Sequence, residues 1–179
     1  VLLDAENVKV YNLDGEEIKK ESYHVEWDIS AAEKGGYEHF MFKEIMEQPR
    51  VIRDTVQPRI RDGKIVLDDI SLTAEYIKGI NKIYIVACGS AYHVGVVGKY
   101  VIEAMTRIPV EVTVASEFRY MNPIVDDKTL TVVISQSGET ADTIAAMREA
   151  KRLGSRTFAI VNAVGSAIAR EADDVLYTW

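Results

Sequence analysis

Two stretches decide the fold: Lys82-Ile83-Tyr84-Ile85-Val86-Ala87-Cys88-Gly89-Ser90-Ala91 and Leu130-Thr131-Val132-Val133-Ile134-Ser135-Gln136-Ser137-Gly138-Glu139-Thr140. Each opens as a β-branched apolar run of strand length. Each then passes through a small, hydroxyl-rich turn into a helical pattern. A turn between a strand and a helix N-terminus is where anions bind, because free backbone N–H groups and the positive end of the helix dipole point at the ligand. Two such turns in one parallel sheet imply one phosphate-bearing substrate held between them.

Outward from these stretches, the chain alternates strand and helix, the pattern of a parallel sheet with crossover helices. Strands are expected at about 82–87, 109–114, 129–134, 156–161 and 174–178, and helices at about 91–106, 116–121, 139–153 and 165–171. Ile144, Met147 and Ala150 form one apolar stripe on the third helix, which ends at Leu153-Gly154 with Gly as the cap.

Upstream the pattern differs. Val8-Lys9-Val10-Tyr11 and the run from Ile18 to Val25 flank Asp14-Gly15, a hairpin signal. Two strands alone are marginal in water, and no partner sheet is evident. Residues 29–36 read as a polar, Gly-terminated linker. Phe40, Met41, Phe42, Ile45 and Met46 predict a helix that stops near Pro49, with a second helix over Arg50–Val56. Ile60 to Ile70 is turn-rich around Asp62-Gly63, and Thr73 caps a helix from Ala74 to about Lys78.

With 179 residues and 47% apolar content, the chain holds one ordinary domain plus something small. Its net charge of −7 argues against nucleic acid and against an acidic membrane surface as partners. No apolar run reaches the roughly 18–20 residues of a transmembrane helix. A single cysteine excludes an internal disulfide framework and suits the cytoplasm. The sequence opens without Met, as a piece of a longer polypeptide would.

Known phosphate-binding patterns narrow the chemistry. The P-loop requires G-x-x-x-x-G-K-[ST], and no Lys follows either turn; the dinucleotide fingerprint G-x-G-x-x-G is also absent. What remains is a cradle lined by Ser90, Ser135, Gln136, Ser137 and Thr140, with Gly89, Ala91 and Gly138 supplying backbone. A neutral cradle suits a monophosphate on a small polyol better than a triphosphate. Ser137 taken alone is a helix cap, as Ser and Thr are at most helix starts. Glu139 is a cap, or orients the Ser90 turn. Cys88 reads as a small buried residue and His93 as a packing residue. His24 and His39 are too isolated for a metal set.

The motif Ile134-Ser135-Gln136-Ser137-Gly138-Glu139-Thr140-Ala141-Asp142-Thr143 resembles the first sugar-isomerase (SIS) domain of the glutamine–fructose-6-phosphate aminotransferase family. Lys34-Gly35-Gly36-Tyr37-Glu38-His39-Phe40-Met41, Lys43-Glu44-Ile45, Glu47-Gln48-Pro49, Ala115-Ser116-Glu117-Phe118-Arg119-Tyr120 and Gly165-Ser166-Ala167-Ile168-Ala169-Arg170-Glu171 carry the same resemblance. It implies an α/β fold: an SIS-type three-layer sandwich with a five-stranded parallel sheet flanked by helices, preceded by a hairpin and helices. Residues 1–28 would be the remnant of a glutaminase domain, 29–36 a linker, and 37–179 the first SIS domain with its leading helices.

The resemblance further implies that Ser135, Gln136, Ser137 and Thr140 hold the phosphate of fructose 6-phosphate or glucosamine 6-phosphate, with the Ser90 turn closing the site. Neither metal nor organic cofactor is implied, and the chain is expected to form a homodimer. The glutaminase domain and the second SIS domain, which carry the parent's acid/base groups, are missing partners, so this chain is expected to bind without turnover. The family usually has Thr then Ser after Cys-Gly; here Ser90 and Ala91 stand there. The missing hydroxyl implies weaker phosphate binding, by about 1.5–3 kcal/mol for a bond to a charged group. Ala91→Ser is predicted to tighten phosphate binding by about tenfold or more in a calorimetric titration, and an unchanged Kd would contradict the assignment of that turn.

Overall fold

The computed structural model describes residues 1–21, 33–68 and 70–178. Contacts divide the chain into two units, Val1–Glu47 and Gln48–Trp179. In the first unit, β1 (Leu2–Leu3), β2 (Val8–Tyr11) and β3 (Glu17–Ile18) form an antiparallel sheet with β2 in the middle. Val10 pairs with Ile18 across the predicted hairpin. The turn is built by Asn12 as much as by Asp14-Gly15. Asn12 Oδ1 accepts the N–H groups of Asp14 and Glu16 at 3.0 and 2.9 Å. The third strand, β1, is an addition to the predicted pair; a two-residue strand is too short to show a period-2 pattern. The rest of the predicted second strand (22–25), His24, Trp27 and linker residues 29–32 lie outside the described residues, as does Trp179.

Helix α1 spans Phe40–Val56 with Pro49 inside it, which corrects the expected stop at Pro49 and merges the two predicted helices. Proline costs the helix one i→i−4 bond, but its fixed φ is helical. The segment Arg50–Val56 keeps its own helical pattern and so continues. A 3₁₀ turn at Gln57–Arg59 follows. Then β4 (Ile60–Arg61) and β5 (Lys64–Ile65) pair across Asp62-Gly63, whose φ angles of 51° and 70° are those of a type I′ hairpin turn. Helix α2 (Ala74–Gly79) is capped as predicted, Thr73 Oγ1 accepting the Tyr76 N–H at 3.1 Å.

The rest is the parallel sheet and its crossovers: β6 (Lys82–Ala87), α3 (Ser90–Thr106), β7 (Val110–Val114), α4 (Ala115–Phe118), β8 (Thr129–Ser135), α5 (Ala141–Arg152), β9 (Arg156–Val161), α6 (Ala167–Glu171) and β10 (Asp174–Tyr177). The strand order is β10-β9-β8-β6-β7, with every pair parallel. All five predicted strands are present. Three predicted helices are trimmed: 116–121 to Ala115–Phe118, 139–153 to Ala141–Arg152 and 165–171 to Ala167–Glu171. Thr140 and Ser166 keep extended backbone and Gly165 takes a φ of 71°, so α5 and α6 start only after them.

Two cores separate three layers. Tyr84, Val86 and Val133 point to one face, against Phe118 of α4, Ala146, Met147 and Ala150 of α5, and Ile168 of α6. Ile83, Ile85 and Val132 point to the other, against Ile102 of α3 and Tyr76 of α2. The alternation follows from the strand period of two. β6 is covered on both faces, which is why its sequence is a continuous apolar run rather than an alternating one. α5 ends in a Schellman motif: Ser155 N–H reaches Ala150 O and Gly154 N–H reaches Lys151 O, each at 3.0 Å.

A buried ion pair fixes β10. Asp174 accepts from Arg156 Nε at 2.8 Å and from the N–H and hydroxyl of Ser71 at 2.6 and 2.8 Å. Burial pushes the Asp174 carboxyl up, but the bonds to Arg156 and Ser71 outweigh it and hold the group below the usual carboxylate range. Asp173 follows the same logic, burial being outweighed by Lys151 and Thr157. A folded-state value below the unfolded one stabilises the fold above the unfolded carboxylate pKa of about 3.9, and that contribution is lost as pH falls through the folded value. Urea denaturation is predicted to show stability falling off below about pH 4. Asp174→Ala should cost about 3–5 kcal/mol at pH 7, because it leaves Arg156 half-buried and unpaired. A midpoint unmoved by the substitution would contradict this.

Candidate functional site

The chain leaves β6 toward β7 on one side and then returns to build β8, β9 and β10 on the other. The order reverses between β6 and β8, a topological switch point; in open α/β sheets ligands bind in the crevice outside the carboxyl ends of the strands there. The two turns singled out in the sequence are the two walls of that crevice. Ala87 is in register with Ile134, so Cys88-Gly89-Ser90 stands beside Ser135-Gln136.

Both following helices begin without a side-chain cap. α3 has Gly89 as its N-cap residue and α5 has Thr140, and neither receives a capping hydrogen bond from that side chain. The first intrahelical bond of α5 is Ile144 N–H to Thr140 O at 3.0 Å. In the first turn of α3 the Tyr92 N–H is taken by Gly89 O at 3.2 Å; the N–H groups of Ser90 and Ala91, and those of Ala141 to Thr143 in α5, are left for an incoming acceptor. Gly89 makes the approach on the β6 side: at φ 60° and ψ −137° its backbone occupies a region essentially reserved for glycine. Neither turn carries Lys or Arg, so attraction for an anion comes from oriented N–H groups and dipoles. Asp142 is the acid in the first turn of α5.

The hydroxyls divide into framework and surface. Ser135 is 5% exposed; its Oγ accepts the Gly138 N–H at 3.1 Å and lies 3.3 Å from Thr140 Oγ1. Ser137 is exposed, and its Oγ accepts the Glu139 N–H at 3.2 Å. Ser137 therefore closes its own turn instead of capping α5, a correction to the cap reading; the helix starts four residues later. Ser90 and Gln136 are exposed, Thr140 and Ala91 half-buried. The structure thus gathers Ser135, Gln136, Ser137, Gly138 and Thr140 on the β8 side and Gly89, Ser90 and Ala91 on the β6 side of one crevice.

A third segment braces it, and the sequence reading missed this. The loop after β9 hydrogen-bonds to the serine-rich turn along its length. Asn162 N–H and Ala163 N–H both reach Gln136 O at 3.2 Å, and Ile168 N–H reaches Gly138 O at 3.0 Å. Ala167 N–H reaches Glu139 Oε1 at 2.7 Å. Glu139 Oε1 therefore caps α6, 28 residues on, in place of the helix that follows it, α5, a correction to the expected cap. Asn162 had a signal: it stands at the carboxyl end of β9, as Ser135 does for β8. Thr143, fully buried, donates to Cys88 Sγ at 3.8 Å and ties the two walls together. Cys88 packs against the core as expected. His93 is exposed and lies edge-on to Tyr92 at 5.4 Å between ring centroids. Cavities of about 590 and 480 Å³ elsewhere are lined by none of the predicted site residues.

The sequence profile of the SIS domain family matches residues 76–179. The chain belongs to the SIS domain family. Among its relatives, the glutamine–fructose-6-phosphate aminotransferase (isomerizing) of Clostridium acetobutylicum is 64% identical over 180 residues, covering 100% of this chain and 30% of the relative. That of Caldanaerobacter subterraneus is 63% identical over 99% of the chain and 29% of the relative. The chain thus spans about 30% of the length of these relatives. A solved C-terminal domain of glucosamine-fructose-6-phosphate aminotransferase from Francisella tularensis shares 41% identity and superposes with a TM-score of 0.76, over 82% of this chain and 42% of that one. A putative phosphosugar isomerase from Clostridium difficile, 21% identical with a TM-score of 0.63, shares the SIS fold.

Gly138 is the pivot of the brace. Its φ is +64°, and a Cβ there would lie 2.0 Å from Ser166 Oγ and 2.5 Å from Ser166 Cβ. Gly138→Ala is predicted to cost about 1–3 kcal/mol from overpacking, beyond the backbone strain, read as a lower urea midpoint. Combining it with Ser166→Gly should recover part of the loss. Full stability in the single variant would contradict the close approach.

Proposed function

We propose that this SIS domain is the sugar-phosphate-binding part of an enzyme that transfers glutamine-derived ammonia to fructose 6-phosphate and yields glucosamine 6-phosphate. One observation carries the reading: two uncapped helix N-termini flank a single crevice at the switch point of the sheet. A phosphate dianion seated there accepts from the first-turn N–H groups of α3 and α5 and from the hydroxyls of Ser90, Ser137 and Thr140. Ser135 and Gly138 hold the turn in shape. The high identity to aminotransferases of this name supports the substrate.

The same reading divides the chain into a glutaminase remnant at 1–28, a linker at 29–36 and the SIS domain with its leading helices at 37–179. The chain binds without turnover. Isomerisation needs a base within hydrogen-bond reach of the sugar protons, and Glu139 at this site is committed to the Ala167 N–H. The remaining 70% or so of the relatives' length supplies the ammonia and the acid/base groups in this proposal. Among the described residues no helix is long and apolar enough to cross a membrane, in keeping with a cytoplasmic enzyme. The outer face of α3 supports a homodimer: Val94, Val97, Val101 and Met105 recur at helical spacing and are 61, 64, 51 and 80% exposed. Sedimentation should report a dimer that Val97→Asp dissociates; a monomeric parent chain would contradict the pairing.

Calorimetric titration with fructose 6-phosphate tests the function. Saturable binding is predicted, with unphosphorylated fructose inert. Ser137→Ala or Thr140→Ala should each weaken it by about 10–100-fold, the worth of a hydrogen bond to a charged group. Binding that ignores both substitutions, or glucosamine 6-phosphate formed by this chain alone, would contradict the proposal.

A further inference from the structure

The amide of Asn162 lies between two partners whose chemistry fixes which way it points. Its Nδ2 donates to Thr178 O at 2.8 Å. A backbone carbonyl can only accept, so the nitrogen must face Thr178, and Oδ1 is left facing Gln136. Oδ1 can in turn only accept, so Gln136 must present its nitrogen, and Nε2 donates to Oδ1 at 3.3 Å. The polarity set at Thr178 is thereby handed through two amides. It leaves Gln136 Oε1, an acceptor, as the carbonyl end available to a ligand. Among the described residues no donor meets that oxygen, and Gln136 is exposed. Two backbone donors, Asn162 N–H and Ala163 N–H, pin the Gln136 carbonyl at 3.2 Å, so the residue's main chain is held as well.

We infer that Asn162 is a positioning residue that turns Gln136 Oε1 toward a sugar hydroxyl, making Gln136 the group that separates a polyol phosphate from a phosphate monoester that carries no hydroxyl. The phosphate group of a monoester dianion offers only acceptors, and an amide oxygen gives it nothing to bind. A hydroxyl on the carbon chain bearing the phosphate is the matching donor. The inference rests on the sugar-phosphate reading of the crevice and refines it: Gln136 serves the sugar, while the hydroxyls and helix N-termini serve the phosphate.

The test titrates fructose 6-phosphate and methyl phosphate against the chain, Asn162→Ala, Gln136→Leu and the double variant. Asn162→Ala and Gln136→Leu should each weaken fructose 6-phosphate by about five- to tenfold and leave methyl phosphate within about twofold. The double variant should be no weaker than Gln136→Leu, because Asn162 acts through Gln136. Equal losses for both ligands, or additive losses, would overturn the inference. Gln136→Leu changes an exposed side chain and keeps the experiment decisive should Asn162→Ala fold poorly. A ligand-free measurement separates this claim from the one beneath it. The Gln136 side-chain amide proton that faces Asn162 should lie downfield of its free-amide position and show contacts to Asn162, and it should return to that position in Asn162→Ala. If the chain binds neither ligand while that NMR resonance behaves so, the sugar-phosphate reading fails and the amide relay stands. A resonance unchanged by Asn162→Ala overturns the relay itself.

Discussion

The reversal of strand order between β6 and β8 is the constraint on which the rest depends. A parallel sheet delivers every strand's carboxyl end to the same edge, and a helix must start soon after each. Where the connections all run one way, each helix N-terminus is roofed by the next crossover. Where they diverge, a gap opens and two helix starts face it from either side. α3 packs on one face of the sheet and α5 on the other. Their uncapped N-termini flank the gap without any side chain having to be buried as a charge. That geometry supports the proposed anion site, in which oriented N–H groups stand where Lys or Arg would otherwise be needed.

Such a site is only as good as the turn that shapes it. The serine-rich turn spends one hydroxyl internally, Ser135, and keeps others at the surface. Its other side is held by the loop after β9, through Asn162, Ala163, Ala167 and Ile168. Gly138 admits Ser166 against its Cα, at a distance no side chain would permit. Oriented N–H groups stabilise an anion when they need not reorganise to meet it. The brace supplies that preorganisation from the neighbouring strand, and Thr143 to Cys88 links the two walls beneath.

Much of this was legible in the sequence, and the reasons are local. β6 and β8 are continuous apolar, β-branched runs, so their type and limits were readable. The turns announced themselves by Ser, Gly and Thr placed between a strand and a helix. Thr73 was readable as a cap because capping is a short-range bond. What escaped depends on contacts distant in sequence. Ser137 is the exception: its bond to the Glu139 N–H spans only two residues, a local turn that competes with capping α5. Glu139 meets a partner 28 residues away, and Asn162 matters only because β9 lies beside β8. Pro49 was misread for the opposite reason: a local rule was applied where the helix tolerates one missing bond.

The central claim is that both turns grip the same phosphate. Backbone amide NMR during titration with fructose 6-phosphate tests it most directly. The account predicts that the N–H resonances of Ser90 and Ala91 and those of Ala141 to Thr143 shift together, with one shared Kd. Shifts confined to one turn, or lying along the groove beside β10, would contradict it.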